Sequence, residues 1–398
     1  MSSLLSSEFP EPDASPIDLL IVAGEHSGDQ HAARLLLGLK ELRPDLTVAA
    51  VGGSQLKREG AQLLFDLTQY SVVGFVEVVS KFGLYKKIFD ATINWIEKHR
   101  PRHICLVDYP GFNLRLARKL KKRRLSRKGG GEIQVFYYIG PQIWAWKAKR
   151  RFQMARCLDG LGVIFPFEVD CYKDTNLRVR FVGHPFVTMS ELPLKFEFDG
   201  PILLLPGSRK IAVSRIFPIL LEAFLRLRSQ HPDLHALVIY PDDEIRKVIE
   251  EILVDLNIED LRIRLARAGV QSPGRAALAS SGTMSLACGL AGIPGCIVYR
   301  THPVTFLLGR MLTKLPYLGI ANLLLNSEIY PEYIQARATA KNLERGLHQA
   351  LFSDVSQKNT RESSRKIWEH LDTSENSSSS VWLHELMEGE GARALNDS

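Results

Sequence analysis

The chain has 398 residues, of which 24% are charged and 45% hydrophobic. These fractions exclude a disordered chain and a fibrous protein, and the length predicts two or three domains. Lys and Arg outnumber Asp and Glu by 51 to 44, and much of the surplus lies in residues 115–128, which read RLARKLKKRRLSRK. A patch this basic indicates an anionic partner (nucleic acid, an acidic membrane or a phosphorylated ligand), unless it is only the solvated face of a helix.

Cysteine usage and the first residues indicate the compartment. The five cysteines are widely spaced and form no CxxC pair or Cys/His cluster, so we expect neither a zinc site nor a disulfide framework. Residues 1–16 lack the basic and apolar regions of a signal peptide, and no apolar run reaches the ~18 residues of a membrane span. The sequence therefore predicts a cytoplasmic protein, with a disordered leader at residues 1–17.

The first half of the chain alternates apolar strands with helices. Helices are predicted directly after the first strand and at residues 112–124, and strands are predicted at residues 18–23, 46–51, 103–107 and 133–139. Alternation of this kind, with glycine where strands end, is typical of a parallel doubly wound sheet. We expect this first α/β domain to span residues 18–190.

The alternation starts again after a short polar joint near residue 190. Helices are predicted at residues 217–229 and 243–253, and strands at residues 201–205, 235–240, 276–279 and 295–299. This predicts a second α/β domain over residues 191–350. A helix within residues 351–372 could cross back to the first domain, and residues 373–398 read as a polar tail.

The turn after the first strand reads AGEHSGD over residues 23–29. The fingerprints GxGxxG and GxxxxGK[ST] are absent, so the sequence supports neither a Rossmann oxidoreductase nor a P-loop NTPase. Glu25, His26 and Asp29 instead bring titratable groups to the sheet edge where ligands of open α/β sheets bind. The alternative interpretation is an ordinary helix cap made by Ser27 or Asp29.

Asp108 follows another predicted buried strand, within the run VDYPGFN. A carboxylate at the end of a strand, on the side facing the second domain, could accept a hydroxyl proton as a general base. The alternative is an aspartate that caps the following helix.

Two turns of the second half are candidate anion sites. Ser208 and Arg209 follow a buried strand, and Ser281-Gly282-Thr283 stands where a strand meets a helix. Free N–H groups and the positive end of a helix dipole favour phosphate, and a diphosphate leaving group needs such stabilisation when no metal is present. Ordinary capping by Ser and Thr is the alternative.

An apolar run with lysines at its margins covers residues 72–89. Such a run suits a surface that dips into lipid headgroups, although core packing is the commoner explanation. The predicted membrane-facing residues are Val72, Val73, Phe75, Val76 and Phe82. Residues 306–325 are similarly ambiguous.

A series of motifs in a fixed order resembles lipid-A-disaccharide synthase, a GT-B glycosyltransferase of family 19. The resemblance runs from about residue 18 to 340 and is carried by AGEHSGD (23–29), VGFVEV (73–78), DYPGFNLRLA (108–117), YYIGPQIWAWK (137–147), FPFE (165–168), VGHP (182–185), LPGSR (205–209), SSGT (280–283) and ANLLLNSEIYPEYIQ (321–335). It implies two Rossmann-like parallel-sheet domains that face an interdomain cleft.

The resemblance also implies an activity. The family transfers a sugar from UDP-2,3-diacylglucosamine to 2,3-diacylglucosamine 1-phosphate with inversion, and releases UDP. The expected enzyme therefore takes part in lipid A and lipopolysaccharide biosynthesis, without a cofactor or a metal. The N-terminal domain would hold the acceptor and meet the membrane, and the C-terminal domain would hold the UDP-sugar. The basic patch then suits an anionic inner leaflet better than nucleic acid, and the protein would be cytoplasmic and peripherally bound to the inner membrane.

Roles carry over to matching positions. Asp108 is the expected base for the 6-hydroxyl of the acceptor, and Glu25 would orient a sugar. The expected donor-binding residues are Ser208, Arg209, Ser281, Gly282, Thr283, Asn322, Glu328 and Gln335.

The chain also departs from the family pattern at two positions. Ala212 and Ala287 stand where the family usually carries glutamate in the donor half. Two alternatives therefore stay open: another GT-B enzyme that uses UDP-N-acetylglucosamine, or a weakened homologue that acts as a membrane- or lipid-binding protein.

Overall fold

A computed structural model describes residues 9–70, 78–145, 147–189, 191–258, 260–302, 306, 315–373 and 378–389, with the side chains of residues 70 and 78–82 outside the description. The chain forms two compact units. The first comprises residues 1–185 and 373–398, and the second comprises residues 186–372. The sequence predicts the boundary near residue 190, and the structure has it between Pro185 and Phe186.

The first unit is a parallel α/β sheet. Its strands are β1 (Leu19–Ala23), β2 (Val48–Gly52), β3 (Gln62–Asp66), β4 (His103–Val107), β5 (Gln134–Tyr138), β6 (Gly160–Val163) and β7 (Val179–Phe181). Its helices are α1 (His26–Leu42), α2 (Ser54–Arg58), α3 (Val78–His99), α4 (Pro110–Lys122) and α5 (Arg150–Ala155). The strand order is β3-β2-β1-β4-β5-β6-β7, and every recorded pairing is parallel. The predicted doubly wound sheet is therefore confirmed.

The apolar strands explain this architecture. Leu20 and Val22 of β1 belong to a hydrophobic core on one face of the sheet, whereas Leu19 and Ile21 belong to the core on the other face. Because successive side chains of a strand alternate between faces, a strand buried on both faces must be apolar throughout. β1 satisfies this requirement with the run LLIVA, and β4 does so with ICLV after the buried His103.

The described residues of the predicted disordered leader pack against the first unit instead. Phe9 stacks on Phe65 with ring centroids 5.8 Å apart, and the Trp95 indole nitrogen donates a hydrogen bond of 2.9 Å to the Pro10 carbonyl. Ile17 is buried. The expectation of disorder fails for residues 9–17 because this polar stretch carries two apolar anchors, Phe9 and Ile17, that the first unit buries or stacks against.

The second unit contains another parallel sheet. Its strands are β8 (Leu194–Phe196), β9 (Ile202–Leu205), β10 (Ala236–Tyr240), β11 (Ile263–Arg267), β12 (Ser272–Gly274), β13 (Ala276–Ser280), β14 (Gly295–Tyr299) and β15 (Glu332–Ile334). Its helices are α6 (Lys210–Gln230), α7 (Asp243–Asp255), α8 (Thr283–Leu290), α9 (Ile320–Leu325), α10 (Ala340–Phe352) and α11 (Asp354–Leu371). The main sheet has the order β11-β10-β9-β13-β14-β15, and β8 pairs with β12 separately.

The C-terminal segment differs from the predicted polar tail. A further helix, α12, spans Ser379–Glu388 and belongs to the first unit, where it packs on α1. Trp382 and Leu383 are buried there, and Trp382 lies over Gly162 of β6. The helix within residues 351–372, which was expected to cross back, belongs to the second unit as α11. The returning helix is thus α12, because it carries the apolar side chains that the first sheet buries.

Candidate functional site

Strand order places the predicted acceptor-side residues together. In the first sheet the chain winds outward in one direction from β1 and in the other from β4, so these adjacent strands flank the topological switch point. Ala23 pairs with Val107, which brings the turn containing Glu25 beside the turn containing Asp108. In open α/β sheets, ligands bind at the carboxyl ends of the strands at this point.

The Asp108 turn has an unusual backbone. Asp108 and Tyr109 both adopt left-handed conformations, with φ of 47° and 49°. Each costs a residue with a side chain about 1–2 kcal/mol, so the surroundings must hold the turn. The buried Asn113 amide donates to the carbonyl oxygens of Val107 and Asp108, and the Tyr137 hydroxyl donates to the Asp108 carbonyl at 2.6 Å.

The electrostatics of this turn favour a basic carboxylate. Burial raises the pKa of Asp108, and a hydrogen bond with the Tyr109 backbone offsets part of that effect. A carboxylate with a raised pKa holds a proton more strongly and is therefore a better general base. Glu25 is exposed at the N-cap of α1, where its side chain makes no capping bond, and it lies close enough to Tyr109 to help raise the pKa of that phenol.

Asp29 of the same motif has a structural task. It is 2% exposed, and its carboxylate accepts hydrogen bonds from the backbone N–H groups of Gly53, Gln55 and Leu56. The alternative interpretation, that Ser27 or Asp29 caps the following helix, is therefore wrong for α1, whose N-cap is Glu25; Asp29 binds the N-terminus of α2 instead. Among the titratable groups of the motif, Glu25 and His26 are the exposed ones.

The second sheet repeats the arrangement. Its switch point lies between β9 and β13, where Leu205 pairs with Ala279. The turn over residues 206–209 follows β9, and the turn over residues 281–283 follows β13. Gly207 adopts φ of 108°, and a Cβ added there would lie 3.0 Å from the Ser280 hydroxyl. The two predicted anion turns are therefore direct neighbours.

Both turns open at helix N-termini. Ser208 and Arg209 are exposed, and α6 begins at the next residue with Arg209 as its extended N-cap. Gly282 is the N-cap of α8, Thr283 is exposed, and a Cβ added to Gly282 would meet no atom within 4 Å. Two neighbouring helix N-termini and an exposed guanidinium form an arrangement that can stabilise a diphosphate.

Asn322 has a role different from the predicted ligand contact. It is fully buried, and its amide donates to the Tyr330 carbonyl and Glu332 Oε1 while its oxygen accepts from the N–H groups of Ile329 and Tyr330. An asparagine side chain has two donors and one acceptor oxygen with two lone pairs, so its capacity is spent. The direct contact predicted for Asn322 is therefore corrected to a structural role.

The rest of the 321–335 segment divides between inner and outer residues. The side-chain amide of Gln335 accepts a hydrogen bond of 2.7 Å from the Thr301 N–H and donates one of 3.1 Å to the Thr301 carbonyl. These two bonds lie just beyond the paired strands β14 and β15. Glu328 is exposed and available to a ligand. At the two positions where the family usually carries glutamate, Ala212 is half-buried against the core and Ala287 is fully buried.

Sequence analysis missed the side chains that hold these turns. Asn113 and Tyr137 fix the Asp108 turn, and the Glu332 carboxylate accepts from the N–H groups of Leu318 and Gly319 before α9. Tyr137 and Glu332 contact residues 13 or more positions away along the chain, so local spacing carries no signal for their bonds. Asn113 is only five residues from Asp108, within the run VDYPGFN, so its sequence position offered a signal.

The predicted membrane-facing residues Val72, Val73, Phe75 and Val76 lie outside the described residues, and Phe82 lies on α3 with its side chain outside the description. Within the described part of the chain, no helix combines the length and the apolar character needed to cross a membrane. In the same ranges, no group of three or more His, Cys, Asp or Glu side chains is arranged to hold a metal ion.

Two parallel sheets, each with its candidate residues at the switch point, define the GT-B class, and solved structures have the same fold. A UDP-N-acetylglucosamine 2-epimerase from Listeria monocytogenes is similar with a TM-score of 0.63 at 10% identity, over 95% of this chain and 97% of that one. The epimerase of Methanocaldococcus jannaschii, solved with UDP-GlcNAc and UDP, gives 0.59 at 10% identity, over 94% and 100%.

The sequence matches the lipid-A-disaccharide synthetase family over residues 19–386. Lipid-A-disaccharide synthase 1 of Legionella pneumophila is 36% identical over 349 residues, which cover 84% of this chain and 87% of that protein. The chain therefore belongs to the lipid-A-disaccharide synthase family and is a glycosyltransferase of lipid A biosynthesis. The resemblance inferred from the motifs is confirmed.

Proposed function

We propose that the protein transfers the sugar of UDP-2,3-diacylglucosamine to 2,3-diacylglucosamine 1-phosphate, with inversion at the transferred carbon and release of UDP. One observation carries the proposal: the acidic turns lie at the switch point of one sheet, and the anion-type turns lie at the switch point of the other. On this basis we assign the acceptor to the first unit and the nucleotide to the second, each at the carboxyl ends of its strands.

The acceptor half of the mechanism rests on Asp108. Its carboxylate takes the proton of the acceptor 6-hydroxyl as that oxygen attacks C1 of the donor sugar. Burial, which raises the Asp108 pKa, strengthens this base. The exposed Glu25, in the neighbouring turn that follows β1, orients a sugar hydroxyl. Attack from the face opposite the departing nucleotide inverts the configuration at C1.

The donor half supplies the charge stabilisation. The bond between C1 and the diphosphate oxygen breaks with its electron pair leaving on UDP. Backbone N–H groups of the 206–209 and 281–283 turns and the Arg209 guanidinium face that growing charge. The positions of Ser208, Arg209 and Thr283, all exposed at the start of α6 or α8, support this assignment, as do the open Gly282 turn and the exposed Glu328.

Basic side chains support association with an anionic membrane surface. On and after α4, the exposed cations include Arg115, Arg118, Lys122, Arg124 and Arg127. Each Lys or Arg near an anionic leaflet contributes about 1 kcal/mol to binding. We propose that this face and the apolar run at residues 72–89 meet the inner leaflet, so that the acylated substrates are taken from the membrane.

UDP release with both acylated substrates, measured for the wild type and for Asp108→Asn, tests this function. We expect steady turnover by the wild type and at least about a 100-fold lower kcat for the variant, because general base catalysis contributes 10²–10⁴-fold. Wild-type turnover of non-acylated UDP-N-acetylglucosamine alone would favour another GT-B enzyme. No UDP release, together with vesicle binding, would favour a weakened homologue, the alternative that Ala212 and Ala287 motivate.

A further inference from the structure

The ring of Tyr109 lies against the turn that carries Glu25. A Cβ added to Gly24 would come within 2.0 Å of Tyr109 Cδ1 and 2.3 Å of Cγ. Carbon atoms essentially never approach so closely, so the ring occupies the space that any side chain at residue 24 would need. Glycine at this position is therefore a packing requirement of Tyr109.

The same ring is held from the side of α3. The Tyr109 hydroxyl donates a hydrogen bond of 3.0 Å to the hydroxyl of Tyr85 on α3. The ring also lies nearly parallel to Phe112, at 6.1 Å between centroids, and Phe112 meets Phe89 of α3 edge-on at 5.3 Å. Tyr109 is thus fixed between the first turn, α3 and the start of α4.

This packing acts on a strained backbone. Asp108 and Tyr109 are consecutive left-handed residues, a conformation that persists only when the surroundings impose it. Hydrogen bonds hold the backbone of the turn on both sides: the Asn113 and Tyr137 side chains donate to the Asp108 carbonyl, and the N–H groups of Phe112 and Asn113 donate to the Tyr109 carbonyl. The Tyr109 ring, seated against Gly24, adds a side-chain contact that ties this turn to the turn after β1 and so contributes to the position of the Asp108 side chain.

We propose that Tyr109 is a positioning residue, whose ring, wedged between Gly24 and α3, holds the left-handed turn that presents the Asp108 carboxylate. The inference rests on the proposed function, in which Asp108 is the base. Tyr109 takes no proton in this role. Burial, Tyr85 and Glu25 all raise the pKa of its phenol, which keeps the hydroxyl protonated as a donor to Tyr85.

The Gly24–Tyr109 contact permits a specific test. UDP release is measured with both acylated substrates for Gly24→Ala, Tyr109→Ala and the double variant. We expect each single variant to lower kcat about 100-fold, because an error of about 1 Å in placing a catalytic group has that effect, with KM values within about 3-fold. The double variant should be no slower than the slower single one, since the new methyl group has no ring to meet. Multiplying losses, or a change confined to KM, would overturn the proposal.

Conservative variants separate positioning from folding. Tyr85→Phe and Tyr109→Phe each remove the bond between the hydroxyls and keep the ring, so we expect about 3- to 10-fold lower kcat for either and no further loss when both are combined. Tyr138→Phe is the matched control, because the Tyr138 hydroxyl bonds Ser379 and the side chain lies in the core on the opposite face.

Thermal unfolding of every variant accompanies the kinetics. If Tyr109→Ala does not fold, the phenylalanine pair decides: unchanged kcat, or losses that multiply, would contradict the positioning role. A wild type that releases no UDP would instead refute the proposed function, and this outcome is recognised before any variant is compared.

Discussion

Glu168, in the FPFE motif, is a buried residue whose carboxyl group has a raised pKa. It is 4% exposed and accepts hydrogen bonds from the Trp144 indole and from the N–H groups of Ile164 and Phe165. Burial outweighs these bonds and raises the pKa of Glu168 to about 7. The carboxyl therefore connects two family motifs, WAWK and FPFE, through one side chain.

The sign of the resulting pH dependence follows from linkage. Because the pKa of Glu168 is higher in the folded protein than in the unfolded chain, the folded state binds more protons between pH about 4.5 and about 7. The stability contributed by this group is present below that window and is lost as the pH rises through it. We expect the free energy of unfolding of the wild type, relative to Glu168→Gln, to fall by at most about 3 kcal/mol across the window.

Urea denaturation of the two proteins at a series of pH values measures this difference. Glutamine does not titrate, so the variant supplies the reference curve. Parallel curves for the wild type and the variant between pH 5 and 7 would show that Glu168 does not titrate there.

At the scale of elements, the strands and their ends could be predicted. The run LLIVA is apolar throughout and HICLV is apolar after its first residue, His103, which is typical of strands buried on both faces. Asp108 directly follows such a run, which is why its place at the sheet edge was predictable. The Gly207 and Ser281 turns lie next to each other because they follow β9 and β13, which are adjacent strands of one parallel sheet.

Other boundaries could not be predicted. The predicted helix at residues 217–229 begins seven residues earlier in the structure, at Lys210, with Pro218 inside it. Proline usually marks the first turn of a helix, so its presence obscured the true start. The earlier start matters, because it puts the N-terminus of α6 directly after Arg209. Asn322 was misassigned for a different reason: its partners, Tyr330 and Glu332, are set by tertiary structure.

The structural assignment of Asn322 predicts a stability effect. Asn322→Ala removes four hydrogen bonds and leaves buried partners, including one Glu332 oxygen, without that donor. Each unsatisfied buried group costs about 1–3 kcal/mol, so we expect a loss of roughly 2–4 kcal/mol in the free energy of unfolding. Glu328→Ala, at an exposed position of the same segment, should change it by less than about 0.5 kcal/mol. Equal unfolding free energies for the two variants would contradict the assignment.

At the scale of the whole molecule, the C-terminal helix α12 packs on the first unit and completes its core. α12 covers α1 and β6, and glycines make room for it: a Cβ on Gly162 would lie 3.1 Å from the Trp382 ring, and one on Gly38 would lie 2.6 Å from the Ser380 hydroxyl. Arg180 pairs with Glu385 and Arg43 with Glu388 at its margin. The polar residues before α12 concealed this element from sequence analysis, because the apolar face of the helix is short and has little local periodicity.

Two tryptophans near the C-terminus allow this division to be tested. Trp382 of α12 is buried in the first unit, whereas Trp368 of α11 is half-buried in the second, where its indole donates to the Leu290 carbonyl at 3.0 Å. Removing a buried tryptophan side chain costs about 3–5 kcal/mol. Amide hydrogen exchange should therefore show lost protection in β1, β5 and β6 for Trp382→Ala, and in α8 and β14 for Trp368→Ala. Loss of protection in the strands of both sheets for Trp382→Ala would mean that α12 supports the entire molecule rather than its first unit.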